Sequence, residues 1–170
     1  LKAPRIAIML VKAGPVVDKV IQQILDTGAL ESGDLIIDGG NTHYPDTIRR
    51  NQMLAEHSIL YIGTGVSGGE EGARHGPAVM PGGQPKAWEI ARPILEMVSA
   101  KAGPHHDEPC CMYLGPNGAG HYVKMVHNGI EYGDMELICE VYDFMRHVLG
   151  MSAQDISVVF QQWNKGALKS

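Results

Sequence analysis

Arg5 to Asn41 reads RIAIMLVKAGPVVDKVIQQILDTGALESGDLIIDGGN. Its first six residues form a short apolar, β-branched run, the signature of a buried strand. Val16, Val17, Val20, Ile21, Ile24 and Leu25 then recur at helical spacing. With Pro15 in the first turn and Gly28 as a stop, they predict a helix from Pro15 to about Asp26. Asp34 to Asp38 is a second apolar run that ends on Gly39-Gly40-Asn41. Strand, helix and strand at this pace predict a parallel α/β layer. In such open sheets ligands sit beyond the carboxyl ends of the strands, where Val11-Lys12-Ala13-Gly14 and Gly39-Gly40-Asn41 fall.

The rhythm continues outward. A helix is expected from Asp46 to about His57 and a strand over Ile59–Ile62. A glycine-rich loop, Gly63 to Gly69, follows. Ala78–Met80 reads as a strand, Pro85 to about Ala100 as a helix and Cys111–Leu114 as a last short strand. After Gly115 the pattern changes. From about Gly118 to Leu149 there is neither proline nor strand signal, and Val123, Val126, Ile130, Met135, Ile138, Val141, Tyr142, Met145 and Leu149 keep a helical period. One helix of about 30 residues, roughly 45 Å long, is expected. Ser152 should cap another helix running to about Trp163. The boundary falls near Pro116, giving a 1–115 α/β part and a 116–170 helical part.

Composition excludes several classes. The 170 residues carry 44% hydrophobic and 19% charged side chains, a globular balance. The net charge of -5 argues against a nucleic-acid partner. No apolar run is long enough to span a membrane. Glycine is over-represented, at 21 residues, and clusters where turns or ligand approaches are expected. Cys110, Cys111 and Cys139 make an odd number and suggest free thiols in a reducing compartment. Leu1-Lys2-Ala3 holds neither an initiator methionine nor a signal-peptide pattern, so a cytoplasmic protein is expected. His105-His106-Asp107 and Cys110-Cys111 lack zinc-site spacing, and no metal is expected there.

Two constellations can carry chemistry. Lys124, His127, Asn128, Glu131 and Tyr132 stand at offsets 0, 3, 4, 7 and 8 and share one helix face, leaving Met125, Val126 and Ile130 for packing. The ordinary reading is a solvated polar stripe. However, this stripe lies inside an otherwise apolar helix and follows Gly118-Ala119-Gly120-His121. Lys124 and Glu131 lie about 10 Å apart along the axis, too far for a salt bridge. A desolvated lysine suits a general base and a buried glutamate a general acid, for a reaction that removes one proton and delivers another. The other constellation is Gly63 to Gly72, whose amides and Ser67 hydroxyl suit an anionic or polyhydroxy ligand. It is not a phosphate-binding P-loop, because no Gly-Lys-Ser/Thr follows, and it fails the G-x-S-x-G pattern.

With Val11–Gly14, Ile37–Asn41, Gly65–Arg74, Met80–Gly83, Gly118–His121 and Val123–Asp134 standing in order, the chain resembles the decarboxylating 6-phosphogluconate dehydrogenase family from Leu10 to Lys165. The resemblance implies a Rossmann-like α/β domain, present as its second half, followed by the first helices of an all-α domain. It implies oxidation of 6-phosphogluconate to ribulose 5-phosphate and carbon dioxide with NADP, in the pentose phosphate pathway. Lys124 matches the base that takes the 3-hydroxyl proton, and Glu131 the acid that protonates C1 of the enediol. Asn128 and His127 match ligands near the reacting carbons. Ser67, Gly68 and Gly69 match the loop around the substrate carboxylate, and Tyr132 a phosphate contact. Asn41 matches a residue touching cofactor and substrate; Val11, Lys12 and Ala13 match the turn against the cofactor.

In the family a Gly-x-Gly-x-x-Gly turn and an Asn-Arg-Thr precede this region, and a large helical domain follows it. The resemblance therefore implies a central portion of a homodimeric enzyme, with the phosphate-binding lysine and arginines elsewhere, partly on the partner. Such a piece should show an open sheet edge and have doubtful activity alone. The alternatives are a non-catalytic relative serving as a binding module and another β-hydroxyacid dehydrogenase of the 3-hydroxyisobutyrate type. The His127-Asn128-Gly129-Ile130-Glu131-Tyr132 run disfavours the latter.

Overall fold

A computed structural model describes residues 2–166 and 168. The chain forms two compact units, Leu1–Val126 and His127–Ser170. The first unit is built on a four-stranded sheet of order β1-β2-β3-β4, with β1 at Ile6–Met9, β2 at Leu35–Asp38, β3 at Leu60–Ser67 and β4 at Ala78–Gly83. The first three strands are parallel, as expected, with Ile37 opposite both Ile8 and Ile62. β4 runs antiparallel to β3, pairing Gly63 with Gly82 and Ser67 with Ala78.

Burial follows from the strand period of two. On β2, Ile36 packs with Met9, Val17, Ile21, Leu54, Ile59 and Tyr61, under α1 (Pro15–Asp26) and α2 (Tyr44–Glu56). Leu35 and Ile37 point the other way, to Ile62, Val79, Ala87, Ala91, Leu95 and Cys111 under α4 (Pro85–Val98). All four residues of β2 are buried, as a central parallel strand requires. β1 is the opposite case. It lies at the sheet edge and leaves Ile8 53% exposed, with Leu10 just after it at 73%, the open edge that the sequence predicts.

Three of the expected elements change. The strand expected to stop at Ile62 runs on through Gly63, Thr64, Gly65, Val66 and Ser67, because β4 supplies hydrogen-bond partners along that length. The remaining loop is short and leads into α3 (Gly69–His75). Cys111–Leu114 is not a strand; Cys111 makes a single bridge to Val79, and Leu114 N–H donates to the Pro81 carbonyl at 2.9 Å. The pairing nearby is instead a ribbon of β5 (Lys101–Ala102) and β6 (Glu108–Pro109). The long helix is α5 (Ala119–Asp143), which gives way to a π-helical turn at Phe144–Val148. There Leu149 N–H bonds the carbonyl five residues back, and Gly150 at φ 64° ends the run.

The second unit also contains α6 (Ala153–Trp163). Ser152 caps it as expected, its Oγ accepting from Asp155 N–H at 3.1 Å. Met145 and Ile156 are its buried apolar side chains. Met125, Val126 and Ile130, expected to pack, are 44%, 42% and 64% exposed. Among the described residues, no helix is long and apolar enough to cross a membrane.

The first turn of α5 meets the sheet backbone to backbone. A Cβ on Gly120 would collide with the Gly63 and Met80 carbonyl oxygens, and one on Gly82 with the Gly120 amide. Gly120→Ala should therefore destabilise the protein by about 1–3 kcal/mol in urea unfolding, as overpacking does. Gly129, on the same helix, has nothing within 4 Å of an added Cβ, so Gly129→Ala should stabilise by up to about 1 kcal/mol.

Arg50, with a fully buried side chain, grips Asp18 through Nε at 3.0 Å and Nη2 at 2.8 Å, and Arg49 adds a bond at 2.8 Å. These bonds, Arg50's first, hold the Asp18 carboxyl down from its ordinary 3.8 to about 2. The unfolded chain then binds this proton at a higher pH than the folded one does. The stabilisation is complete above the ordinary value and is lost as pH falls through about 2. Urea midpoints measured downward from about pH 5 should fall less steeply for Asp18→Asn than for the native protein.

Candidate functional site

The carboxyl ends of the strands gather the polar residues of the first unit. After β1, Val11, Lys12 and Ala13 form a turn that Gly14 closes at φ 96°. Lys12 is exposed there, and Val11 and Ala13 are half-buried. After β2, Gly39 N–H donates to the Met9 carbonyl at 2.9 Å, which ties the two strand ends together. Gly40 must be glycine. A Cβ there would stand 2.9 Å from the Val11 carbonyl oxygen and 3.2 Å from Asp38 Oδ1. Asn41 therefore emerges, exposed, beside the Val11–Ala13 turn. A cation and an amide on this ledge fit a nucleotide cofactor approaching the strand ends.

The loop after β3 carries the other group. Ser67 is half-buried at the end of the strand, with Gly68 and Gly69 exposed at φ 142° and 56°. Lys124 lies on the same side of β3. A Cβ on Gly65 would come within 2.5 Å of Lys124 Cβ, so the lysine stem rests on bare strand backbone two residues before Ser67. The structure thus brings Lys124 to the Ser67 loop through the shape of Gly65, which the sequence alone reads only as part of a turn.

One turn earlier, His121 is 2% exposed, and its Nδ1 makes a 2.7 Å hydrogen bond with Thr47 Oγ1. Burial lowers its pKa. The charge of Asp38 and the backbone of Gly40 and Asp38 pull the other way. Asp38 itself is fully buried. Its Oδ1 accepts from Gly40 N–H at 3.0 Å, and its Oδ2 accepts from Thr42 Oγ1 at 2.8 Å and Tyr61 Oη at 2.9 Å. Burial, then the Asp38 charge, pushes ionisation of the Tyr61 hydroxyl far above its ordinary range. The sequence reading missed this polar cluster. Its signal was only a carboxylate ending an apolar strand and a histidine in a glycine run.

In the second unit, His127 and Asn128 are half-buried, while Glu131 and Tyr132 are exposed. His127 Nδ1 lies 3.6 Å from Glu131 Oε2 and 3.4 Å from Asn128 Oδ1. His127, Ile130, Glu131 and Asp134 line a shallow hollow. The burial expected around the glutamate is not supplied by the described residues, since the Glu131 side chain is 53% exposed. Among the described residues no cluster of three or more His, Cys, Asp or Glu could hold a metal ion. Cys111 is buried, and burial raises its thiol to about 11.

The sequence matches the NAD binding domain of 6-phosphogluconate dehydrogenase over residues 1–115. Residues 120–170 match the 6-phosphogluconate dehydrogenase C-terminal domain. The chain is 59% identical over all 170 residues to the decarboxylating 6-phosphogluconate dehydrogenase of Schizosaccharomyces pombe, covering 34% of that protein. It is 58% identical over its whole length to the NADP(+)-dependent decarboxylating enzyme of Bacillus subtilis, covering 35% of it. It thus spans about a third of the length of these curated relatives. Among solved structures, Plasmodium falciparum 6-phosphogluconate dehydrogenase superposes with a TM-score of 0.91 at 50% identity, over 100% of this chain and 35% of that one. That protein has been seen apo, with its cofactor NADP+ and with its substrate 6-phosphogluconate. Mycobacterium tuberculosis 3-hydroxyisobutyrate dehydrogenase is more distant, with a TM-score of 0.73 at 26% identity over 92% of this chain and 50% of that one. With a strand-end ledge, a glycine-backed lysine and both domain matches in register, the chain belongs to the 6-phosphogluconate dehydrogenase family.

Proposed function

We propose that the protein oxidatively decarboxylates 6-phosphogluconate to ribulose 5-phosphate and carbon dioxide, with NADP as the hydride acceptor when bound. The observation that carries this reading is Lys124, seated on Gly65 beside the Ser67 loop. A base there can take the proton of a hydroxyl whose carboxylate end lies against Ser67, Gly68 and Gly69. Val11, Lys12, Ala13 and Asn41 hold the cofactor, and Asn41 also reaches the substrate.

The chemistry assigned to this chain's residues is proton handling. Lys124 accepts the proton of the substrate's 3-hydroxyl while the hydride leaves C3. The resulting 3-keto acid can lose its carboxylate as carbon dioxide, because the ketone accepts the electron pair of the breaking bond. Glu131 then delivers a proton to C1 of the enediol. His127 and Asn128 orient the substrate near these carbons, and Tyr132 meets its phosphate. His127, 3.6 Å from Glu131, also suits a group that steadies that carboxyl.

Residues 1–115 serve as the cofactor domain and 116–170 as the start of a helical substrate domain, which works in a homodimer in the cytoplasm. The similarity to relatives about three times as long supports this assignment. Its test uses the purified protein at its natural length, with reduced cofactor followed by absorbance. Lys124→Met should lower kcat by about 10³-fold or more while NADP still binds, and Glu131→Gln by about 10²–10⁴-fold. Turnover retained by Lys124→Met would sink the role given to the lysine.

A further inference from the structure

We propose that Asp38 is a positioning residue whose buried carboxylate, anchored by Tyr61, fixes the loop that presents Asn41. The role rests on the cofactor and substrate contacts proposed above for Asn41. Both neighbours of that asparagine are held by Asp38. Gly40 on one side donates its N–H to Asp38 Oδ1 at 3.0 Å, and Thr42 on the other donates its hydroxyl to Oδ2 at 2.8 Å. A single carboxylate thus holds the backbone before Asn41 and the side chain after it. Asn41 itself is left exposed between them.

The carboxylate needs its own anchor, and Tyr61 is that anchor. Its hydroxyl donates to Oδ2 at 2.9 Å from the middle of the sheet, where the tyrosine is fully buried. Tyr61 lies on β3, across from Ile36 of β2 in the parallel register, so its position is set by the sheet and not by the loop. The remaining freedom of the loop is closed by Gly39 N–H bonding the Met9 carbonyl and by Gly40 packed on the Val11 carbonyl. A buried carboxylate with no cation in direct hydrogen bond among the described residues would be costly if it only filled space, since desolvating an ion costs several kcal/mol. Three donors converging from a loop amide, a loop hydroxyl and a core phenol offset that cost. They also make the loop conformation a condition of that offset.

Tyr61→Phe and Thr42→Val each delete one donor and keep nearly the same shape. Two readouts separate positioning from general stability. Amide hydrogen exchange at Gly40 and Asn41 should speed up about fivefold or more in each variant, the loss of one such bond. Calorimetric Kd for NADP should weaken by a similar factor of about fivefold, and further in the double variant. Leu95→Ala, a core change on the buried face of α4, serves as the control. It should lower the melting temperature yet leave both readouts near the native value. Native exchange and native Kd in Tyr61→Phe and Thr42→Val would overturn the proposal. So would changes that merely track lost stability, as in the control. If the native protein binds no NADP, the functional reading fails, and the role given to Asp38 fails with it. If the native protein binds and the variants bind equally well, the role of Asp38 alone is lost.

Discussion

Helix α5 begins with its backbone lying directly on the backbones of β3 and β4, and the placement of the first unit's chemistry depends on that contact. No side chain intervenes between Gly120 and Gly82 or the Gly63 carbonyl, while the Thr47 and His121 side chains fill the space over the Gly63 Cα. Two backbones that close cannot slide without steric collision, because packed interiors have little free volume. The register is therefore fixed to a fraction of a residue. One residue past Gly120, His121 turns inward to Thr47; one turn past it, Lys124 comes to rest on Gly65. The lysine stem is thereby held on bare strand backbone, two residues before Ser67.

The second element of order is the separation of charge from the apolar layers. The sheet buries aliphatic side chains on both faces, yet Asp38, Arg50 and Tyr61 are also inside. They do not interrupt the core at random. Asp38 ends β2, Arg50 reaches from α2 to Asp18 and to the Gly14 carbonyl, and Tyr61 stands between them. Each ties a strand end or a helix start to something that cannot move. Removing one partner from such a cluster costs more than the pair gains, since the other is left desolvated. The polar interior is thus brittle where the aliphatic interior is tolerant, and its brittle points border the strand-end turns.

The helices were the most legible part of the chain. The spacing of Val16, Val17, Val20, Ile21, Ile24 and Leu25 yields α1, and Ser152 marks the start of α6, because periodicity and capping are local properties. The end of β3 was not legible. Gly63 and Gly65 look like turn residues, but they sit inside a strand because a helix needs bare backbone to rest on, and that need comes from residues some sixty positions away. The apolar rhythm of α5 announced a helix without saying what its apolar positions would meet; Met125, Val126 and Ile130 are open in this chain. Of the site, Lys124, Asn41 and the Ser67 loop could be picked out from residue type and order. The buried cluster around Asp38 could not, since Thr42, Tyr61 and His121 become neighbours only when the sheet forms.

The contact between Gly40 and the Val11 carbonyl has an entropic side. The turn after β1 and the loop after β2 each limit where the other can go, and the Met9 carbonyl bond closes the pair. They behave as one rigid ledge and not as two wandering segments. A partner that docks there finds the surface already in its bound shape. It gives up little conformational freedom on the protein's side, which leaves more of each contact as net affinity. Specificity at such a ledge is then set by shape before contact and does not depend on the protein closing around what it holds.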